Sequence, residues 1–160
     1  MTVYRERLWA PPALYLATAL VIPASLLVFL PISVTAGVVV AIAMELAVLV
    51  LLWVLAPVVE VTETEFRAGR AHLPRTAVGE VAGFTGAAAT KQRGPELDAR
   101  AWTLFRGYVS GVVKVEVRDD ADPTPYWLVS VRHPDAVTRA LVGTSAVPGE
   151  DRRTTRDDRR

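Results

Sequence analysis

The most expensive side chain in this sequence is Glu45, the only charged residue between positions 8 and 59. A carboxylate in the middle of a hydrocarbon layer must be protonated, paired or facing water. Folding the apolar stretch back on itself at Pro31 and Ile32 brings Thr18 to a matching depth. A hydrogen bond between a neutral Glu45 and the Thr18 hydroxyl, or a backbone carbonyl, is then the plain solution, and helix association is its purpose. Two sharper readings stand beside it: contact with a second copy or a partner protein, and a proton or cation path. A path needs polar residues along its length, and only Thr18, Ser25, Ser33 and Thr35 are available.

The other polar clusters each carry a chemical reading and a plainer one. Asp119, Asp120 and Asp122 could hold a divalent cation, but they lack the spaced ligands and distal glutamate of a calcium loop, and a solvated turn is the better reading. His72 and His133 belong to no zinc spacing. Ser110 and Ser130 have no base beside them, and there is no glycine-rich phosphate loop or nucleophile elbow. The chain has no cysteine, which removes disulfides, thiolate metal sites and cysteine nucleophiles together. The expectation is therefore no enzyme, no cofactor and no metal.

One segment, Asp122 to Trp127, concentrates rigid and aromatic residues. It reads first as a stiff turn feeding core aromatics. The alternative is an exposed rim of Pro123, Pro125, Tyr126 and Trp127 facing a peptide or a lipid headgroup. Lys91, Arg93, Arg100 and Arg106 could form a basic patch, but Glu96 and Asp98 are interspersed and a mixed solvated loop is the safer assignment.

The elements that must position these residues begin with two apolar stretches, residues 11–30 and 32–56. Each supplies the roughly 20 residues that a membrane-spanning helix needs. Arg5 and Arg7 precede them, Arg67, Arg70 and Arg75 follow, and the turn between is uncharged. The positive-inside rule then places both termini in the cytoplasm of a multi-pass protein of the cell membrane. Tyr4, Trp9, Tyr15 and Trp53 suit the same interface. Pro23 should kink the first span or loosen its hydrogen bonding. Gly37 with Ala41, and Ala43 with Ala47, offer small faces for close helix approach.

Beyond Pro57 the period changes to that of short strands. Strands are expected near 58–63, 66–71, 73–84, 101–106, 112–118 and 126–132, with a loop over 86–100 that has room for a helical turn. Pro134 and Asp135 open a helix through Val142. The fold class expected is an α+β membrane protein: a cytoplasmic N-terminus over 1–10, a two-helix transmembrane hairpin, a small β-rich domain of pleckstrin-homology-like form over 57–143 closed by a C-terminal helix, and a disordered charged tail over 144–160. Residues 57–143 hold eleven basic and eleven acidic side chains, a balance that argues against nucleic acid. The partners expected are the lipid bilayer and a protein partner or a second copy.

Three segments carry a resemblance: Tyr4-Arg5-Glu6-Arg7-Leu8-Trp9; Arg67-Ala68-Gly69-Arg70 with Leu73-Pro74 and Val78-Gly79-Glu80-Val81; and Asp122-Pro123-Thr124-Pro125-Tyr126-Trp127 with Ser130. Over residues 4 to about 142 the chain resembles the actinobacterial membrane family called domain of unknown function 3093. The resemblance implies a two-helix anchor with a cytoplasmic β-rich domain, and it implies no activity. Function is then expected to be membrane-anchored binding or scaffolding at the inner leaflet, with an accessory transport subunit using Glu45 as the alternative.

Overall fold

The computed structural model describes residues 1–29, 31–119 and 121–143. Leu30, Asp120 and the tail expected over 144–160 lie outside them. The fold is α+β, with apolar helices near the N-terminus and two four-stranded sheets.

Strand β1 (Thr2–Arg7) opens the chain and pairs antiparallel with β2 (Val58–Thr62), Arg7 opposite Val58. Between these neighbours runs the whole apolar hairpin, so the two helical spans occupy the place of a β-hairpin turn. Residues 1–10, expected as a separate N-terminus, thus supply an edge strand. Its sequence carries no apolar alternation, because the backbone ladder to β2 forms it and only Leu8, just beyond its end, is fully buried.

The first span is two helices, α1 (Pro12–Thr18) and α2 (Val21–Phe29). The break falls four residues before Pro23, which has no N–H to offer the Ala19 carbonyl and whose ring would collide with it. That carbonyl accepts from the Ile22 N–H at 3.2 Å, a tighter three-residue bond. Ser33 caps α3 (Val34–Val54), its side chain accepting from the Ala36 N–H. Gly37 and Ala41 are buried and let α3 approach α2, whereas Ala43 and Ala47 are exposed. The stretches Pro12–Phe29 and Val34–Val54 are long and apolar enough to cross a membrane, and only 6% and 11% of their apolar windows are buried.

The first sheet continues through β3 (Glu65–Ala68) and β4 (Ala71–Pro74) in the order β1-β2-β3-β4. Gly69, at φ +63°, turns the chain where one strand over 66–71 is expected. A 3-10 turn (Arg75–Ala77) then leads to the second sheet, ordered β5-β7-β8-β6: β5 (Val78–Phe84), β7 (Val112–Val117), β8 (Tyr126–Ser130) and β6 (Trp102–Leu104). β7 and β8 form the expected antiparallel pair, and β6 runs parallel to β8. Among the described residues, those from 57 onward therefore hold seven strands, β2 to β8, and β1 adds an eighth from the N-terminus. Residues 86–100 hold a helix, α4 (Gly86–Arg93), rather than a loop with a single turn.

Helix α5 (Pro134–Val142) closes the domain. Its Val137 and Leu141 join Val59, Val61 and Phe66 of the first sheet and Val113, Val115 and Val129 of the second in one core. The Phe66 and Trp127 rings meet across the sheets, their centroids 6.1 Å apart. At Gly111 a Cβ would lie 2.6 Å from the Val131 carbonyl oxygen, so only glycine fits there. The Arg75 guanidinium donates to the Leu141 carbonyl at 2.6 Å and satisfies the open end of α5.

Candidate functional site: the cleft at the foot of the helical hairpin

Where α3 ends, its last carbonyls have no helical partners, and arginines of the β domain supply them. The Arg7 guanidinium donates to the Trp53 carbonyl at 2.8 Å, and that of Arg106 donates to the Leu55 carbonyl at 3.0 Å. Arg132 donates to the Trp9 carbonyl at 2.6 Å, at the entry to α1. Cations at the carbonyl end of a helix also complement its dipole. The charged carbon of Arg7 lies 4.3 Å from the Trp9 ring centre and 5.2 Å from that of Trp53, so one cation touches both rings. Leu8 donates its N–H to the Pro57 carbonyl and accepts from the Tyr108 hydroxyl, each at 2.9 Å. The hairpin is thereby seated on the domain through several independent bonds rather than through a flexible linker.

Beside this seat lies an open cleft of about 770 Å³. One wall is the end of α3 with Leu55 and Pro57; the other is made by the β3–β4 turn and the edge strand β6, with Ala71, Trp102 and Leu104. Trp102 is fixed by stacking on Trp127, with ring centres 4.4 Å apart. The charged residues lining the cleft are Arg70 and Arg106, with no carboxylate among the described lining residues. Arg106 is pinned by its bonds to the Leu55 and Phe105 carbonyls. Arg70 is exposed and, among the described residues, has no hydrogen bond or ion pair. The volume falls within the roughly 300–1,000 Å³ of small-molecule sites.

Within the hairpin, the Thr18 hydroxyl lies 3.0 Å from Glu45 Oε1 and 2.7 Å from the Tyr15 carbonyl oxygen. The carbonyl can only accept, so the single hydroxyl proton is divided between the two contacts. The second carboxyl oxygen is buried without a partner among the described residues. The expected Glu45–Thr18 contact is thus present inside one chain.

The other anticipated residues fall apart in space or into turns. Tyr126 and Trp127 are buried, each 6% exposed, so they cannot form an outward rim; Pro123 is exposed and Pro125 half-buried on the turn leading to them. The aromatic pair was drawn into the core because consecutive residues of β8 face two cores, Trp127 the main one and Tyr126 the smaller one beneath α4. Asp119 and Asp122 each accept a backbone N–H two residues on, at 3.0 and 2.9 Å, and the bond from Thr124 holds the Asp122 carboxyl below its usual range. His72 is exposed beside Glu65, and His133 lies in the exposed approach to α5. Ser130 is buried and accepts from the Arg106 N–H.

The four basic residues of the second half do not gather. Arg93 is tied to the Val109 carbonyl, and Arg100 to Asp98, whose carboxyl this pairing lowers to about 2. Only Arg106 reaches the cleft. Its partner there, Arg70, comes from a turn in the other sheet, and no local spacing in the sequence announces that meeting.

Fold and site together define an α+β protein in which an apolar two-helix hairpin is inserted between neighbouring strands, with a basic and apolar cleft at its foot. The chain belongs to the family described as Protein of unknown function (DUF3093), whose family model matches residues 3–141, from β1 into α5. No curated protein and no solved structure matches it.

Proposed function

We propose that this protein is a membrane-anchored binding module. It crosses the cell membrane twice, keeps both termini and the β domain in the cytoplasm, and presents the junction cleft to a ligand or partner at the inner leaflet. The observation that carries this reading is the placement of the cleft: two exposed apolar spans rise from the adjacent strands β1 and β2, and the cleft opens at their foot. At 1.5 Å per residue the spans are about 27 and 32 Å long, against about 30 Å of hydrocarbon. Arg5, Arg7, Arg67, Arg70 and Arg75 all belong to the domain end, and the opposite turn bears no charge. Two sheets around one core, closed by α5, support a pleckstrin-homology-like reading of the domain, although the parallel β6–β8 pair is foreign to a purely antiparallel barrel. Fold alone assigns no ligand, and the cleft is what supports binding.

The test is extraction of membranes with alkaline carbonate, followed by affinity capture of the full-length protein from mild detergent. Retention in the carbonate pellet, with a bound species lost on Arg70→Glu, is expected. Release into the carbonate supernatant would overturn the anchor, and a captured species indifferent to Arg70 would move binding elsewhere.

The unpartnered Glu45 oxygen supports a second reading, an accessory transport subunit in which Glu45 acts. Glu45→Gln keeps the shape and removes the titratable proton. Unchanged ion flux through the reconstituted mutant would sink that reading, and lost flux with intact assembly would favour it.

A further inference from the structure

We infer that the junction cleft is a site for one anionic phospholipid of the cytoplasmic leaflet, its phosphate held by Arg70 and Arg106 and the start of its acyl chains laid against Leu55, Trp102 and Leu104. The inference rests on the anchored reading above and names the ligand of that site. Three features of the cleft converge on an anionic amphiphile.

The first is charge. Arg70 and Arg106 face a space whose described lining contains no carboxylate, and Arg70 has no partner among the described residues. A guanidinium carries five N–H donors in a rigid fork suited to phosphate oxygens. Two carbonyls, those of Phe105 and Leu55, take one donor each from Arg106, which fixes the group and leaves further donors for a ligand.

The second is polarity on one side. The wall formed by the end of α3 is apolar and continues outward through exposed Val54 and Leu55. A free phosphate ester would use the arginines and leave that wall unmatched. A phospholipid matches both, and each buried methylene contributes about 0.8 kcal/mol.

The third is depth. The cleft shares the end of α3 with Trp53, and Arg7 links Trp53 to Trp9, the two rings placed to mark the headgroup layer. Phospholipid is the species most abundant at that level, and the negative potential of the inner leaflet favours exposed arginine there.

The experiment is native mass spectrometry of the full-length chain in mild detergent, offered equimolar phosphatidylglycerol and phosphatidylcholine, with glycerol phosphate as a competitor. One phosphatidylglycerol is expected to be retained in preference. Arg70→Gln, at an exposed side chain without partners among the described residues, should weaken that retention by about tenfold or more, the size of a lost charge-assisted contact. Ala71→Leu, which fills the apolar side of the cleft, should weaken it as well while the melting temperature holds. Equal retention of the two lipids, or retention indifferent to both substitutions, would overturn the proposal. Displacement by glycerol phosphate at matching concentration would also overturn it, in favour of a soluble phosphate ester. A protein that leaves the membrane in carbonate refutes the anchor itself, whereas an integral protein without lipid preference refutes only this inference.

Discussion

At the scale of single residues, the N-terminal strand ties charge to stability. The Tyr4 hydroxyl donates to Glu6 at 2.8 Å. Burial, and then the bond to and charge of Glu6, raise its pKa well above the ordinary tyrosine value. A group whose folded pKa is raised contributes stability that is complete below its unfolded value and declines as pH climbs past it. The window therefore opens near pH 10 and extends upward. Alkaline unfolding of the wild type is expected to steepen from about pH 10, and Tyr4→Phe should flatten that limb at a cost of about 1 kcal/mol at neutral pH for the lost bond. Denaturation curves across pH 8 to 12 check it; a mutant with the same alkaline slope would show that Tyr4 is not the group responsible. Glu6 also accepts from the Arg132 backbone and side chain, so one carboxylate connects β1 to the segment after β8.

At the scale of elements, β1 is the part that a reading of the sequence misses. Residues 2–7 read Thr-Val-Tyr-Arg-Glu-Arg, without the apolar alternation that marks a strand. Their signal is non-local: they pair with β2, more than fifty residues away across the apolar hairpin. Leu8→Ala is consequently expected to cost about 2–5 kcal/mol, as for a buried leucine, rather than the near-zero cost of a residue in a free terminus. Urea melts would show it, and a change under about 0.5 kcal/mol would remove β1 and Leu8 from the fold.

Other elements were legible because their signals are local. The interruption at Pro23 follows from one missing N–H, and α5 from Pro134 and Asp135 at its start. The Glu45–Thr18 contact was also readable, since folding the hairpin at Pro31 sets their depth. The cleft was not, because Arg70 and Arg106 meet only after two sheets have packed.

At the scale of the whole molecule, the hairpin is an insertion between two strands that already lie side by side. Arg7 sits opposite Val58, and Leu8 bonds the Pro57 carbonyl. Excising residues 10–56 and joining Trp9 to Pro57 through a short glycine-containing turn is therefore expected to yield a soluble, cooperatively folding β domain. A piece beginning at residue 57 should fail, because it lacks β1 and leaves the Leu8 side of the core open. Thermal unfolding of the two proteins distinguishes the cases; equal stability would mean that β1 adds nothing to the domain. The same insertion fixes how the hairpin meets the domain, since both of its ends are held by neighbouring strands and by Arg7, Arg106 and Arg132.

The central claim is that the hairpin spans the membrane and leaves the domain, with its cleft, on the cytoplasmic side. The chain contains no cysteine, so single reporters can be placed without background. The deciding measurement is labelling of Ser33→Cys, in the far turn of the hairpin, and of Thr124→Cys, on the domain, in intact and lysed cells with a membrane-impermeant maleimide. The account predicts that Cys at position 33 reacts in intact cells and Cys at position 124 only after lysis. Reaction of both in intact cells, or protection of both until lysis, would contradict it.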